Sequence, residues 1–177
     1  FASAWSTISD FAADTKHLSA RTGMIAVLHT WGQNLSLHPH LHCIVPGGGL
    51  NASGNWKTAR SNGKYLFPVK ALSKVFRARM VALLRKHFPN EEKAFFEGLF
   101  KTEWVVYAKR PFGGPKQVID YLGRYTHKIA ISNHRLTTVT DEQVSFRYKN
   151  YRNGQQGLLS LSPMEFIRRF AQHILPK

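Results

Sequence analysis

His40 and His42 stand one residue apart in a segment of extended character, His38-Pro39-His40-Leu41-His42-Cys43-Ile44-Val45. Side chains at i and i+2 of a strand share a face. The pair therefore offers two imidazoles together, with Leu41 turned to the core, and that is half of a metal site. Four of the nine histidines, His29, His38, His40 and His42, fall between residues 29 and 42. If a hairpin closes with Trp31 opposite His40, His29 lies opposite His42 at cross-strand distance and becomes the third ligand. Gln33, seven residues before His40, is the alternative ligand, and a core or DNA-facing role for His29 stays open. His38 precedes Pro39 in the loop and reads as structural or exposed. Imidazoles suit zinc, copper or nickel better than magnesium, with manganese between them. A site with two or three histidines and open positions can polarise a phosphate oxygen as a Lewis acid.

Tyr121 and Tyr125 are four residues apart in QVIDYLGRYTHK, so on a helix both phenols point the same way and reach one pocket. They either extend the apolar stripe of Val118, Leu122 and Ile129 into the core or act as nucleophiles. Arg124 and Lys128 beside them favour the second role, because cations hold a phosphate and promote phenolate character. A tyrosine attacking phosphate forms a phosphotyrosine that conserves the bond energy. Cutting and rejoining then need no nucleotide cofactor, in keeping with the absence of a GxxxxGK[ST] segment.

The elements that must position these groups follow from periodicity. Residues 5–20 have helical spacing up to Gly23, and Met24 to Leu28 begins a strand. MIAVLHTW and HLHCIV form a hairpin across a polar loop, closed by Pro46 and the three glycines after it. Residues 69–88 make an amphipathic helix with Lys70, Lys74, Arg77 and Arg85 opposite the apolar face, a stripe that is either solvated or in contact with DNA. Glu103 to Ala108 is a strand candidate, KRPFGGPK a basic loop, and the tyrosine helix starts near Pro115. ISNHRLTTVTDEQVSFRY is a hairpin turning at Asp141 and Glu142. Ser162, Pro163 and Glu165 form a capping box for a last helix over 163–175. No repeat or low-complexity linker interrupts the pattern, which predicts a single α+β domain over 1–177 with an antiparallel sheet.

Composition narrows the partners. The chain has 177 residues, 25 Lys and Arg against 10 Asp and Glu, and a formal charge of +15, the footprint of a polyanion binder. Lys116, Arg124, Lys128 and Arg110, around the tyrosine helix, are the expected DNA contacts. Cys43 is the only cysteine, which leaves no internal disulfide and no cysteine zinc site within these residues. No apolar run is long enough for a membrane span, and the start lacks a signal-peptide pattern. A cytoplasmic protein is expected. Phe1 begins inside helical sequence, so a fragment of a longer chain is expected as well.

The ordered set of motifs resembles a known one. His40-Leu41-His42 with Cys43 to Pro46 is similar to the HUH motif (His, hydrophobe, His) of rolling-circle endonucleases, and Tyr121 to Tyr125 inside YLGRYTHKIAISNHRL resembles the two-tyrosine motif of that superfamily's transposases. Together with HTWGQNLSLHPHLHCIVPGGGL, the run resembles the catalytic domain of the IS-ninety-one-like insertion-sequence transposases over nearly all of the chain. The resemblance implies a ferredoxin-like antiparallel sheet with the HUH strand central and helices packed on it, the tyrosines facing the metal. It implies Mg²⁺ or Mn²⁺ as cofactor and a bacterial, nucleoid-associated protein. It also implies cleavage of single-stranded DNA or hairpin ends of the mobile element, a 5′-phosphotyrosine, a free 3′-OH, and transfer into target DNA. Family members carry a cysteine-rich zinc-binding segment upstream, which this chain lacks. The rival readings are a plasmid replication initiator or relaxase of the same superfamily, a non-enzymatic DNA-binding module, and a hydrolase that activates water.

Overall fold

A computed structural model describes residues 1–59, 66–126, 130–150 and 153–174, with the side chains of 124–126 left out of the description. It is α+β, in the order α1 (Ala2–Ala13), β1 (Ile25–Trp31), β2 (Leu37–Ile44), β3 (Gly48–Leu50), β4 (Trp56–Thr58), α2 (Val69–His87), α3 (Lys93–Lys101), α4 (Pro115–Thr126), β5 (Leu136–Val139), β6 (Val144–Lys149), β7 (Gln156–Leu161) and α5 (Pro163–Ala171). The chain divides into two compact units, Phe1–Ala26 with Cys43–Val118, and Val27–His42 with Ile119–Lys177. β1, β2 and α4 are continuous elements that run through both. None of the described helices is long and apolar enough to cross a membrane.

In the first unit α1 stops at Ala13, well short of the residue 20 that periodicity suggests. Asp14 ends it: its carboxylate accepts from the backbone N–H of Lys16 at 2.8 Å, a local bond that competes with continued helix. Leu18 still reaches the core, 1% exposed, with Ala12, Ala20, Phe67 and Leu72. An ion pair between Asp10 and Arg79 joins α1 to α2. The helix α3 carries no signal used in the sequence reading, and it changes the meaning of the basic stripe on α2. Arg85 lies over the rings of Phe96 and Phe100, and Arg77 over Phe100 while also donating to the Thr102 carbonyl. Those two cations serve the fold, while Lys70 and Lys74 remain exposed.

Two expectations about strands change. Glu103 to Ala108 forms no strand among the described residues. The Trp104 carbonyl accepts instead from the Ser73 hydroxyl, and Val106 packs on the α1–α2 core while Val105 and Tyr107 are exposed. A strand exists only where neighbouring backbone completes its ladder, and here side chains fill that role. The described strands also form three small sheets, β1-β2, β3-β4 and β5-β6-β7, in place of the one expected sheet.

The second unit is built on the β5-β6-β7 meander. The turn falls at Asp141 and Glu142 as its polar residues predict, closed by Thr140 N–H to the Gln143 carbonyl at 2.9 Å. β7, which pairs with β6 from Val144↔Leu161 to Lys149↔Gln156, was not anticipated. Phe146, fully buried, meets Leu35, Ala130 and Ile131, and α5 adds Phe166 and Phe170. The start of α5 follows the expected cap, since the Ser162 side chain accepts from Glu165 N–H. The Glu165 carboxylate turns to Arg168 and Arg169 (2.6 and 2.7 Å), away from the cap. Those hydrogen bonds, Arg168 first, hold its carboxyl down to about 2. The contribution is complete above the ordinary carboxylate range and disappears as pH falls through about 2.

Candidate active site

β1 and β2 are joined by a five-residue turn, Gly32 to Ser36, with Gly32 N–H donating to the Ser36 carbonyl at 2.9 Å. A connection this short makes the pair antiparallel, and it brings His29 back to the two histidines of β2. The His29 ring centroid lies 4.7 Å from that of His42 and 5.6 Å from that of His40, and His40 and His42 are 4.8 Å apart. One nitrogen from each of the three falls within 4.8 Å of the others. His29 is buried, 6% exposed, and stacks on Trp31 at 4.5 Å, while His40 and His42 are half-buried. Burial on one side and access on the other is what a site open to a large ligand needs.

Hydrogen bonds restrict the tautomers. His40 Nδ1–H donates to the His38 carbonyl at 2.7 Å, which in the neutral ring leaves the Nε2 lone pair able to bind an ion. His42 Nδ1 is 3.1 Å from the phenol oxygen of Tyr121. Three facing imidazoles with open positions fit a divalent ion. Donors about 2.0–2.1 Å from one tetrahedral ion lie roughly 3.4 Å apart, so nitrogens that stand up to 4.8 Å from one another must close by about 1.4 Å on binding it. Gln33 sits in the turn beyond the end of β1, and His38 is exposed on β2.

α4 carries the tyrosines. Tyr121 is half-buried against His42. Tyr125 and Arg124 lie on the same helix, four and three residues further on, with side chains outside the described set, and Lys128 lies outside the described residues altogether. Lys116, on the first turn of α4, and Arg110, before it, are exposed.

Sequence reasoning missed how the turn is held. Three successive carbonyls of it each accept from a different later side chain: Gln33 from Arg135, Asn34 from Arg169 at 3.4 Å, and Leu35 from His173 Nε2 at 3.2 Å. Because His173 Nε2 donates, its Nδ1 accepts from the Thr30 hydroxyl at 3.1 Å when the ring is neutral. Thr30 neighbours His29, so Arg169 of α5 holds the turn and His173, just past the end of α5, holds both the turn and the strand beside the triad. Leu35 is held at φ +59° with its side chain wholly buried. That backbone region costs a non-glycine residue roughly 1–2 kcal/mol, and core burial offsets it. Leu35→Ala is expected to lower stability by about 2–5 kcal/mol in a denaturant melt, since Ala keeps the backbone cost and loses the burial. A change under about 1 kcal/mol would mean that the turn is not anchored through this side chain.

Residues 23–177 match the model of a family described as "Putative transposase". The chain belongs to this transposase family. It is 48% identical over 188 aligned positions, 97% of its own length, to "Putative transposase y4qJ" of Sinorhizobium fredii. It is 26% identical over 182 positions, 92% of its length, to "Transposase for insertion sequence element IS801" of Pseudomonas savastanoi pv. phaseolicola. The chain spans 47% and 42% of those two relatives. No solved structure gives a significant match. The stretch matched by the family model includes the triad and α4, so the histidine and tyrosine residues of this transposase chain lie inside the family's own region.

Proposed function

We propose that this transposase domain cuts and rejoins single-stranded DNA at the ends of its mobile element through 5′-phosphotyrosine intermediates. His29, His40 and His42 would hold a divalent ion, and Tyr121 and Tyr125 would be the nucleophiles. The observation that carries the reading is the 3.1 Å approach of the Tyr121 phenol to His42 inside a three-histidine cluster. A half-buried phenol takes some hydrogen-bond partner in any case, and an imidazole of the histidine cluster is the partner that suits attack on a phosphate.

A divalent ion bound there, Mg²⁺ or Mn²⁺, supplies charge stabilisation at the scissile phosphate. The remaining steps belong to the side chains. His42 would hold the ion through its other ring nitrogen, and its Nδ1–H would then donate to the Tyr121 oxygen at 3.1 Å, which favours the phenolate once the phenol proton has passed to solvent. The phenolate oxygen bonds to phosphorus, the bond from phosphorus to the 3′-oxygen breaks, and that oxygen takes a proton to become the free 3′-OH. The phosphotyrosine holds the 5′ end until a 3′-OH of the target attacks and releases the tyrosine. Tyr125, one turn along α4, provides a second nucleophile for the second strand, and no nucleotide is consumed.

The exposed Lys116 and Arg110, with Arg124 and Lys128, would hold the DNA backbone, in keeping with the +15 charge. The ferredoxin-like arrangement with the histidine strand central, in one catalytic domain, belongs to the same proposal. Its support is the antiparallel pairing of β1 with β2, which among the described strands stands as a two-stranded sheet of its own. Membership of a transposase family favours transposition over replication initiation or conjugative relaxation. The test is labelled single-stranded element-end DNA on a denaturing gel, with Mg²⁺ or Mn²⁺ and then with chelator. A slow-migrating covalent adduct that chelator removes is the expected result. Cleavage without adduct would assign the attack to water, and no cleavage with either ion would leave a binding module.

A further inference from the structure

A cavity of ≈ 560 Å³ lies wholly within the first unit, between α1, the segment 20–23 and the β3-β4 hairpin. That is within the roughly 300–1,000 Å³ of ligand sites. Two of its walls are tryptophans left open, Trp5 at 42% and Trp56 at 56% exposed, although tryptophan is among the residues most buried on average. Neither histidine triad nor tyrosine helix contributes to it.

The walls are held in place. Gly48 carries no side chain, and a Cβ there would lie 2.9 Å from two atoms of the Trp56 ring and 2.3 Å from the Lys57 carbonyl, so the indole rests directly on the strand. A Cβ on Gly49 would meet the Arg21 carbonyl at 2.2 Å, and that closeness lets Arg21 and Leu50 exchange two backbone hydrogen bonds, 2.8 and 2.9 Å. The Thr22 hydroxyl donates to the Gly48 carbonyl at 2.9 Å. One face of Trp56 is thus fixed by backbone and the rest is presented to solvent, a ring pre-positioned for a flat partner.

Charge selects the partner. The residues lining the cavity include no carboxylate and one cation, the exposed Arg21, in a chain of formal charge +15. Aromatic faces beside a cation, with few polar groups aimed inward, suit stacking of bases in an anionic strand and give little sequence preference. We propose that this cavity is a base-stacking site for unpaired nucleotides of single-stranded DNA, with Trp56 as the platform, Trp5 as the second wall and Arg21 on the backbone. The inference rests on the ligand class named under the proposed function, not on the tyrosine chemistry.

The test is anisotropy of a labelled oligothymidylate against a strand of equal length whose central nucleotides are abasic, on the whole chain in chelator so that no cleavage occurs. Wild type should bind the base-containing strand about 5- to 140-fold more tightly, the range a stacked base contributes. Trp56→Ala should erase most of that difference and leave affinity for the abasic strand unchanged, while Trp56→Phe should keep it. If Trp56→Ala does not fold, Trp56→Leu replaces it, covering Gly48 without a ring. Equal affinities in wild type, or a base-dependent difference that survives both Trp56→Leu and Trp5→Leu, would overturn the proposal. Base-dependent binding without any adduct in the cleavage assay would remove the proposed chemistry and keep this site.

Discussion

The double substitution Tyr121→Phe with Tyr125→Phe is expected to abolish the covalent adduct and all strand transfer while leaving the protein folded and able to bind DNA. Phenylalanine retains the ring and its packing, so a loss of activity cannot be assigned to a cavity. Removing an obligatory nucleophile costs on the order of 10⁶-fold in rate where it has been measured in other enzymes, which puts the residual signal below detection on a gel. The single variants should differ from each other. Tyr121 is the phenol beside His42, at 3.1 Å, and Tyr121→Phe should remove the first adduct. Tyr125→Phe should preserve that adduct and block completed transfer, because the second strand then has no nucleophile. Adduct and transfer are read separately, by denaturing gel and by joined product. Persistent cleavage by the double variant would mean that water or another residue attacks, and the phosphotyrosine mechanism would fail.

His40→Ala and His42→Ala are expected to reduce cleavage to background with little change in DNA affinity. Loss of an outer partner of a metal ligand costs about 10- to 100-fold in metal affinity, and loss of a direct ligand from a set of three costs more. Phosphate contacts dominate affinity for DNA, and the cations proposed for them, Lys116 and Arg110 among them, are untouched by these substitutions. His29→Ala should follow the same pattern, because its ring centroid is 4.7 Å from that of His42 and 5.6 Å from that of His40. Binding of Mn²⁺ or Co²⁺ by calorimetry gives a readout that does not depend on turnover: each alanine variant should lose it, and Gln33→Ala should not. Metal affinity lost in Gln33→Ala and retained in His29→Ala would move the third ligand into the turn. Cleavage at wild-type rate with both His40 and His42 replaced would eliminate the metal site.

Much of this chemistry is legible without coordinates because it depends on short spacings. The strand period alone puts His40 and His42 on one face, and the helix period alone puts Tyr121 and Tyr125 one turn apart. The hairpin argument brings His29 to them with one assumption, the closing register, and the three histidines do come together. The Asp141 and Glu142 turn and the Ser162 cap are likewise local, each decided by side chains within a few residues. α3 and β7 went unread although their partners are near in sequence: Phe96 and Phe100 of α3 pack under Arg85 and Arg77 of the preceding helix, and β7 pairs with β6 as a hairpin from Lys149↔Gln156 to Val144↔Leu161.

What the sequence by itself determined is therefore local placement: imidazoles two apart on a strand, phenols four apart on a helix, and a formal charge of +15, all set by residue type and by periods of two and 3.6. Only the tertiary structure decided which groups meet. Tyr121 touches His42 across 79 positions, and Leu35 is held by His173 across 138, contacts that no local pattern encodes. It also decided that Arg77 and Arg85 lie over aromatic rings of α3 while Trp5 and Trp56 stay open. The physical reason is that a side chain's partner is fixed by packing of the whole unit, where burial and hydrogen-bond satisfaction are settled jointly by segments distant in the chain.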